Sequence, residues 1–330
     1  MKSRATRSYT FFLACLIIAS CVSLNALAAD DPWDTLQKAA FAARELNYKG
    51  TFTYQNGSQT RSVQITHMND AGKEFTRNVV IQSGQPREVF SEGSDIVIFH
   101  PKNNKIVIEK RHGQNLFPAI LPVNLTTIKT SYKTRTGTTD YIAGRKAQII
   151  ELIPNDAFRY GYVIWVDVEY GLVLKMSSVN SSNQHIEQIA FQELNMLNSH
   201  DLNWFQPKID LSKSYVTEDV TLLNHVQTNW IVAELPPAYV KIDHIERVLP
   251  GKRGILNHMI FSDGIASVSL FIEPVVKGVR PKIGHMAVGS TNICANVIDG
   301  YQVMVVGEVP AATVQQIAKA VSFKKNTASQ

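Results

Sequence analysis

A chain of 330 residues, 45% hydrophobic and 18% charged, has room for two domains of ordinary size. That balance excludes a disordered chain and one embedded throughout in a bilayer. Thirty-three basic and 28 acidic residues give a formal net charge of +5, with the bases interleaved among acids, so the electrostatic footprint of a nucleic-acid binder is missing.

The N-terminus reads as an export signal. Lys2, Arg4 and Arg7 form a basic start, residues 11–22 are apolar but too few to span a bilayer, and Ala26-Leu27-Ala28 fits the small-x-small cleavage rule. Residues 1–28 are therefore assigned as a signal peptide, and its loss takes the net charge from +5 to +2. Ile18-Ala19-Ser20-Cys21 also resembles a lipobox, after which Cys21 would carry lipid; the two cleavage sites compete. Cys15 and Cys21 both lie in this segment, which leaves Cys294 alone and predicts a mature chain held by its core rather than by an internal disulfide.

Asp31-Pro32 precedes Trp33, Leu36, Ala39, Ala40, Ala43 and Leu46, spaced by three and four: an amphipathic helix with Asp31 as cap, its alanines small enough to lie close on a sheet. Strand signals follow in quick succession. Phe52 and Tyr54 alternate with threonines, Asn56-Gly57 turns, Val63 and Ile65 alternate with polar residues, and Asn69-Asp70-Ala71-Gly72 turns again. Segments 75–81, 89–90, 96–99 and 106–108 continue an antiparallel meander. Residues 117–123, with Pro118 and Pro122, break the pattern as a short helix or a flap. Strands resume at 132–138, 147–153, 160–168, 173–179 and 185–191. About ten strands in one sheet cannot stay flat; the sheet must twist and curl, and a helix on its concave side leaves a cleft.

Residues 160–168 are apolar on both faces, so both must be covered. From 198 to 217 the periodicity fades into Asn, Ser, Asp, Pro and Lys, a linker between a domain at 29–197 and one at 218–325. The second carries strand signals at 240–248, 258–261, 266–272, 286–297 and 301–306. Val309-Pro310 then opens a helix with Val314, Ile317, Ala318 and Val321 on one face, a small α+β domain.

Enzyme signatures are missing: there is no Gly-x-Ser-x-Gly elbow, no Gly-x-x-x-x-Gly-Lys loop and no His-Glu-x-x-His. No histidine lies three or four residues from another, so neither metal nor cofactor is expected. Cys294 reads as a small hydrophobe, and Asp167 beside the Tyr170-Gly171 turn reads as a turn-stabilising acid. What remains is apolar and concave. Phe52, Tyr54, Val63, Ile65, Phe75, Phe99, Tyr162, Ile164 and Trp165 exceed what one thin sheet needs on one face. Either the first helix and the 117–123 segment cover them, or they line a groove for acyl chains or for a peptide's side chains.

Arg87-Glu88-Val89, the run from Arg159 through Asp167, Phe261-Ser262-Asp263-Gly264, and Val306-Gly307-Glu308-Val309-Pro310 with its following helix resemble the sigma-E regulatory protein family RseB/MucB, in the same order along nearly all the mature chain. The resemblance implies a large curved, unclosed antiparallel half-barrel sheet with helices over its opening, of the LolA/LolB type, beside the small domain. It implies a periplasmic, non-enzymatic negative regulator. Such a protein binds the periplasmic region of a single-span anti-sigma factor (RseA/MucA) and shields it from the site-1 protease DegS. Lipopolysaccharide or mislocalised lipoproteins release it. Anti-sigma contacts are expected on the small domain and the groove between the domains, at Trp230, Tyr239 and the 261–264 turn with Phe261 and Asp263, with Lys252 and Arg253 as rim charges. A periplasmic lipid or lipoprotein carrier is the alternative, and a homodimer stays open.

Overall fold

The first helix, α1 (Pro32–Glu45), starts where the sequence places it: the Asp31 carboxylate accepts the Trp33 N–H at 2.9 Å, Pro32 fills the first turn, and Leu36, Ala39, Ala40 and Ala43 are buried. The computed structural model describes residues 31–57, 59–81, 87–102, 104–110, 115–199, 201–210, 212–219, 228–248 and 254–324. The signal segment, with Cys21, and Lys252 and Arg253 lie outside the described residues.

Strands β1 (Tyr48–Asn56), β2 (Gln59–Asp70), β3 (Lys73–Ile81), β4 (Arg87–Glu92), β5 (Asp95–His100) and β6 (Lys105–Lys110) form one antiparallel meander. After a short helix, α2 (Thr126–Ser131), a second meander runs back through β7 (Tyr132–Ile142), β8 (Arg145–Pro154), β9 (Gly161–Asp167), β10 (Val173–Val179) and β11 (His185–Met196). Strand β11 pairs with β1 and joins the halves, and β12 (Val216–Asp219) adds in parallel to β6. Register shifts at Thr51/Phe52, Ser178/Val179 and Thr136/Thr139 are where bulges bend the strands. Gly50 sits at the first of these; a Cβ there would press into the Glu193 carbonyl and reach the Phe191 ring at 3.0 Å.

Pairing fixes which side chains share a face. Tyr48, Phe52 and Tyr54 look inward with Ile65, Ile150, Ile164 and Phe191, onto α1 and the 117–125 segment. That segment is irregular and acts as a flap: Phe117, Ile120, Leu121 and Leu125 are buried, with the Phe117 ring 5.0 Å from Phe52 and 5.1 Å from Phe191.

The outer face is covered by other means. Trp165 turns away from Ile164, donates its Nε1–H to Asp140 at 3.0 Å and carries the Lys175 ammonium 4.2 Å above its ring. Asp167 accepts the Glu169 and Tyr170 N–H groups at 2.8 Å each, holding the turn, and pairs with Arg145. Over β3–β6 the cover comes from the expected linker. Its 3-10 turn Leu202–Phe205 sets Phe205 on Phe75 at 5.9 Å and Trp204 under the Arg77 guanidinium at 4.2 Å. Tyr215 then packs on Phe99 at 5.9 Å, over a small cluster of Phe90, Phe99 and Ile106. The linker is a strap, and its aromatic residues do the packing that its polar composition concealed.

In the C-terminal part, β13 (Trp230–Val232) pairs with the last strand of the chain. A six-stranded antiparallel sheet is built from β14 (Val240–Val248), β15 (Ile255–Ser262), β16 (Ser267–Pro274), β17 (Gly284–Val288), β18 (Thr291–Ile298) and β19 (Tyr301–Gly307). Helix α3 (Ala311–Ala320) lays Val314, Ile317 and Ala318 on this sheet, and β20 (Val321–Phe323) closes on β13. The single strand expected at 286–297 is a hairpin instead, turning at Gly289 with φ +61. A side chain on that glycine would strike the Asn56 amide of the large sheet.

Candidate functional site

From Asp31 onward both sheets belong to one compact unit, and they meet along a seam with two chemically different halves. The first half is closed. Arg159, just ahead of β9, has a side chain with no exposed surface. It donates to Asp156 Oδ1 at 3.1 Å, to Asp263 Oδ2 at 3.2 Å and to the Pro237 carbonyl, with its guanidinium 5.4 Å from the Tyr239 ring. Burial raises the Asp263 carboxyl pKa. The Ile265 and Ala266 N–H groups at 3.0 and 2.9 Å, Arg159, and the Tyr132 hydroxyl at 3.3 Å oppose that rise. Tyr239 and Thr313 both donate to the Phe158 carbonyl, at 3.3 and 2.6 Å. Every charge here has its partners, so this half is a lock.

The second half is hollow. A cavity of about 500 Å³ lies between the inner face of the large sheet, the flap and the small domain. Tyr54, Tyr162, Met176, Ser178, Glu187 and Ile189 form its first wall; Leu116, Phe117 and Ile120 its second; Ile265, Val306 and Glu308 its third. Tyr54 donates to Glu308 at 3.4 Å, Ser290 donates to Glu187, Asn56 donates to Ser290 at 3.0 Å, and Asn292 donates to Tyr160 at 3.2 Å. Surrounding protein, and then the charge of Glu187, push the Glu308 carboxyl up to about 7. Glu308 is exposed at the cavity mouth, so solvent screens part of that rise. Burial also raises Glu187, against the hydroxyls of Ser290 and Tyr54.

The nine residues expected in a groove separate into three places. Tyr54 and Tyr162 line the cavity. Phe52, Ile65 and Ile164 are buried in the core beneath it, with Val63 packed partly buried against them. Phe75 and Phe99 sit on the outer face under the strap, and Trp165 on the outer face under Lys175, because register assigns them to the opposite side of the pleat. The residues expected at the partner contact lie as follows. Trp230 packs edge-on to Tyr301 at 5.2 Å and Phe323 at 4.9 Å inside the small domain, and Phe261 lies in the same core. Tyr239 and Asp263 belong to the lock. All four of these side chains are buried in this arrangement. Arg159, Glu187 and Glu308 went unmarked by sequence reasoning, although Arg159 opens the 159–167 motif and Glu308 is an acid inside an otherwise apolar run. Among the described residues no cluster of His, Cys, Asp and Glu could hold a metal ion, and no helix is long and apolar enough to cross a membrane.

Residues 31–209 match the family model of the MucB/RseB N-terminal domain, and residues 224–322 match that of the MucB/RseB C-terminal domain. The chain belongs to the MucB/RseB family. Relatives include the sigma-E factor regulatory protein RseB of Haemophilus influenzae, 23% identical over 96% of this chain and 98% of that protein. The sigma factor AlgU regulatory protein MucB of Pseudomonas aeruginosa is 25% identical over the same shares. Among solved structures, MucB in complex with MucA(peri) matches 89% of this chain and 100% of that one at TM-score 0.69 and 23% identity. The Pseudomonas aeruginosa MucA/MucB complex matches 89% and 99% at 0.70 and 24%. These two likenesses establish that the MucB/RseB fold extends through both domains.

Proposed function

We propose that this MucB/RseB chain is a periplasmic negative regulator of an envelope-stress sigma factor. It binds the periplasmic region of a single-span anti-sigma factor of the RseA/MucA type, shields it from a DegS-type protease, and lets go when lipopolysaccharide or lipoprotein acyl chains engage it. The role is binding, not catalysis. One observation carries the reading: both family domains are present, in order, in a chain that aligns over 89% of its length with a MucB seated on MucA(peri).

The seam gives this regulator a physical basis. A ligand shifts partner binding only through its differential affinity for two states, and a hollow joint between two domains is a place where such a difference can arise. The apolar part of the cavity wall also supports a second reading, a lipid or lipoprotein carrier, which leaves the small domain and its buried lock without a role. Capture separates the two. The mature chain should retain the anti-sigma periplasmic segment on a column at micromolar concentration, and lipopolysaccharide should elute it; a carrier ignores the segment and binds lipid all the same.

A further inference from the structure

Glu187 and Glu308 reach the seam cavity from different sheets, and among the described residues neither is paired with a Lys, Arg or His. Their bonds come from neutral hydroxyls, whereas Asp263, in the other half of the seam, has Arg159. Beside them stands a third acceptor. Ser178 is 7% exposed, lines the cavity, and pairs across the sheet with Glu187 on one side and Tyr162 on the other. Its Oγ has no hydrogen-bond partner among the described residues. A buried hydroxyl without a partner is costly, and two carboxylates lining one cavity without a cation are costlier. The wall around them, including Met176 and Ile189, is apolar.

We propose that the cavity is a binding site for an alkylammonium group. The –NH₃⁺ head has three donors, and Glu187, Glu308 and Ser178 supply three acceptors; the alkyl chain lies along Met176 and Ile189. A volume of about 500 Å³ holds a ligand of this size. The same chemistry comes from two sources, a lysine side chain flanked by apolar residues in a peptide or the ethanolamine head of a lipid. Surrounding protein and the Glu187 charge push the Glu308 carboxyl up to about 7, so an entering ammonium must displace a proton there at lower pH and binding weakens below that pH. The other titratable groups facing the pair, Tyr54, Tyr160 and Tyr162, are all raised by burial and stay neutral; the flap contributes Asn115, and the small domain Ser267 and Thr291, none of them charged.

The test is calorimetry of the mature full-length chain with octylamine and octanol at about pH 8. Octylamine is expected to bind at least about tenfold tighter, and Glu187→Gln and Glu308→Gln each to erase that preference while octanol binding persists. Lowering the pH to about 5.5 should weaken octylamine about tenfold and leave octanol unchanged. Acetyl-Leu-Lys-Leu-amide against its norleucine counterpart, and dihexanoyl phosphatidylethanolamine against the phosphatidylglycerol, then assign the source. Equal binding of octylamine and octanol, or an amine preference that survives both substitutions, overturns the proposal; should a variant fail to fold, the wild-type pH series decides. The inference does not rest on partner capture: a chain that retains the anti-sigma segment yet ignores the ammonium overturns this site alone.

Discussion

Arg159 and Asp263 show how much one residue can settle. Each is buried, and each holds hydrogen bonds to the other domain's side of the seam. Such a pair adds little over apolar residues of the same shape, but removing one member strands the other. Arg159→Ala is expected to cost about 3–5 kcal/mol, read as a lowered urea midpoint, and Asp263→Ala a similar amount. A loss below about 1 kcal/mol for both would mean that the lock is not made. Glu308 acts with the opposite sign to an ordinary salt-bridged acid. Its folded pKa, about 7, lies above its usual value of 4.5, so the folded chain binds the extra proton. The stabilisation is full in acid and is lost as the pH rises toward 7. Urea midpoints should therefore fall between about pH 5 and about pH 7.5, and Glu308→Gln should flatten that slope. Trp165 packs in the outer layer, so Trp165→Asp is expected to yield insoluble or unfolded protein, read by circular dichroism.

The strap and the flap are the elements that cover the large sheet on its two faces. The flap covers the inner face through Phe117, and the strap covers the outer face over β3–β6 through Phe205 and Tyr215; at the apolar strand 160–168 the outer cover is Asp140 and Lys175 on Trp165. Phe205→Ala is expected to destabilise by about 3 kcal/mol and to raise hydrogen exchange in β3–β6 more than in β7–β11, since the lost contact is to Phe75. The strands themselves were readable because alternation and turns such as Asn56-Gly57 are local signals. Which side of each strand faces the helix is not local. Phe75 and Ile65 look equally apolar, and only their register across the β2–β3 pair puts them on opposite faces. The hairpin at Gly289 escaped because Met286 to Val297 is apolar enough to read as one run. The strap was hidden because three aromatic residues lie among many polar ones.

At the scale of the whole molecule, two sheets share a seam that is locked at one half and hollow at the other. The order of the domains and the family were legible in the chain's motifs. The lock and the hollow of the seam were not, because Arg159, Glu187 and Glu308 come from distant parts of the sequence and acquire meaning only where the sheets meet. Regulation belongs to this scale: a partner that reads the joined arrangement is released by whatever favours another. The most direct measurement is the cleavage rate of the anti-sigma periplasmic segment by a DegS-type protease as the mature chain is titrated in. The account expects cleavage to fall saturably with micromolar chain and to recover when lipopolysaccharide is added. A cleavage rate that the chain leaves unchanged at every concentration would contradict it.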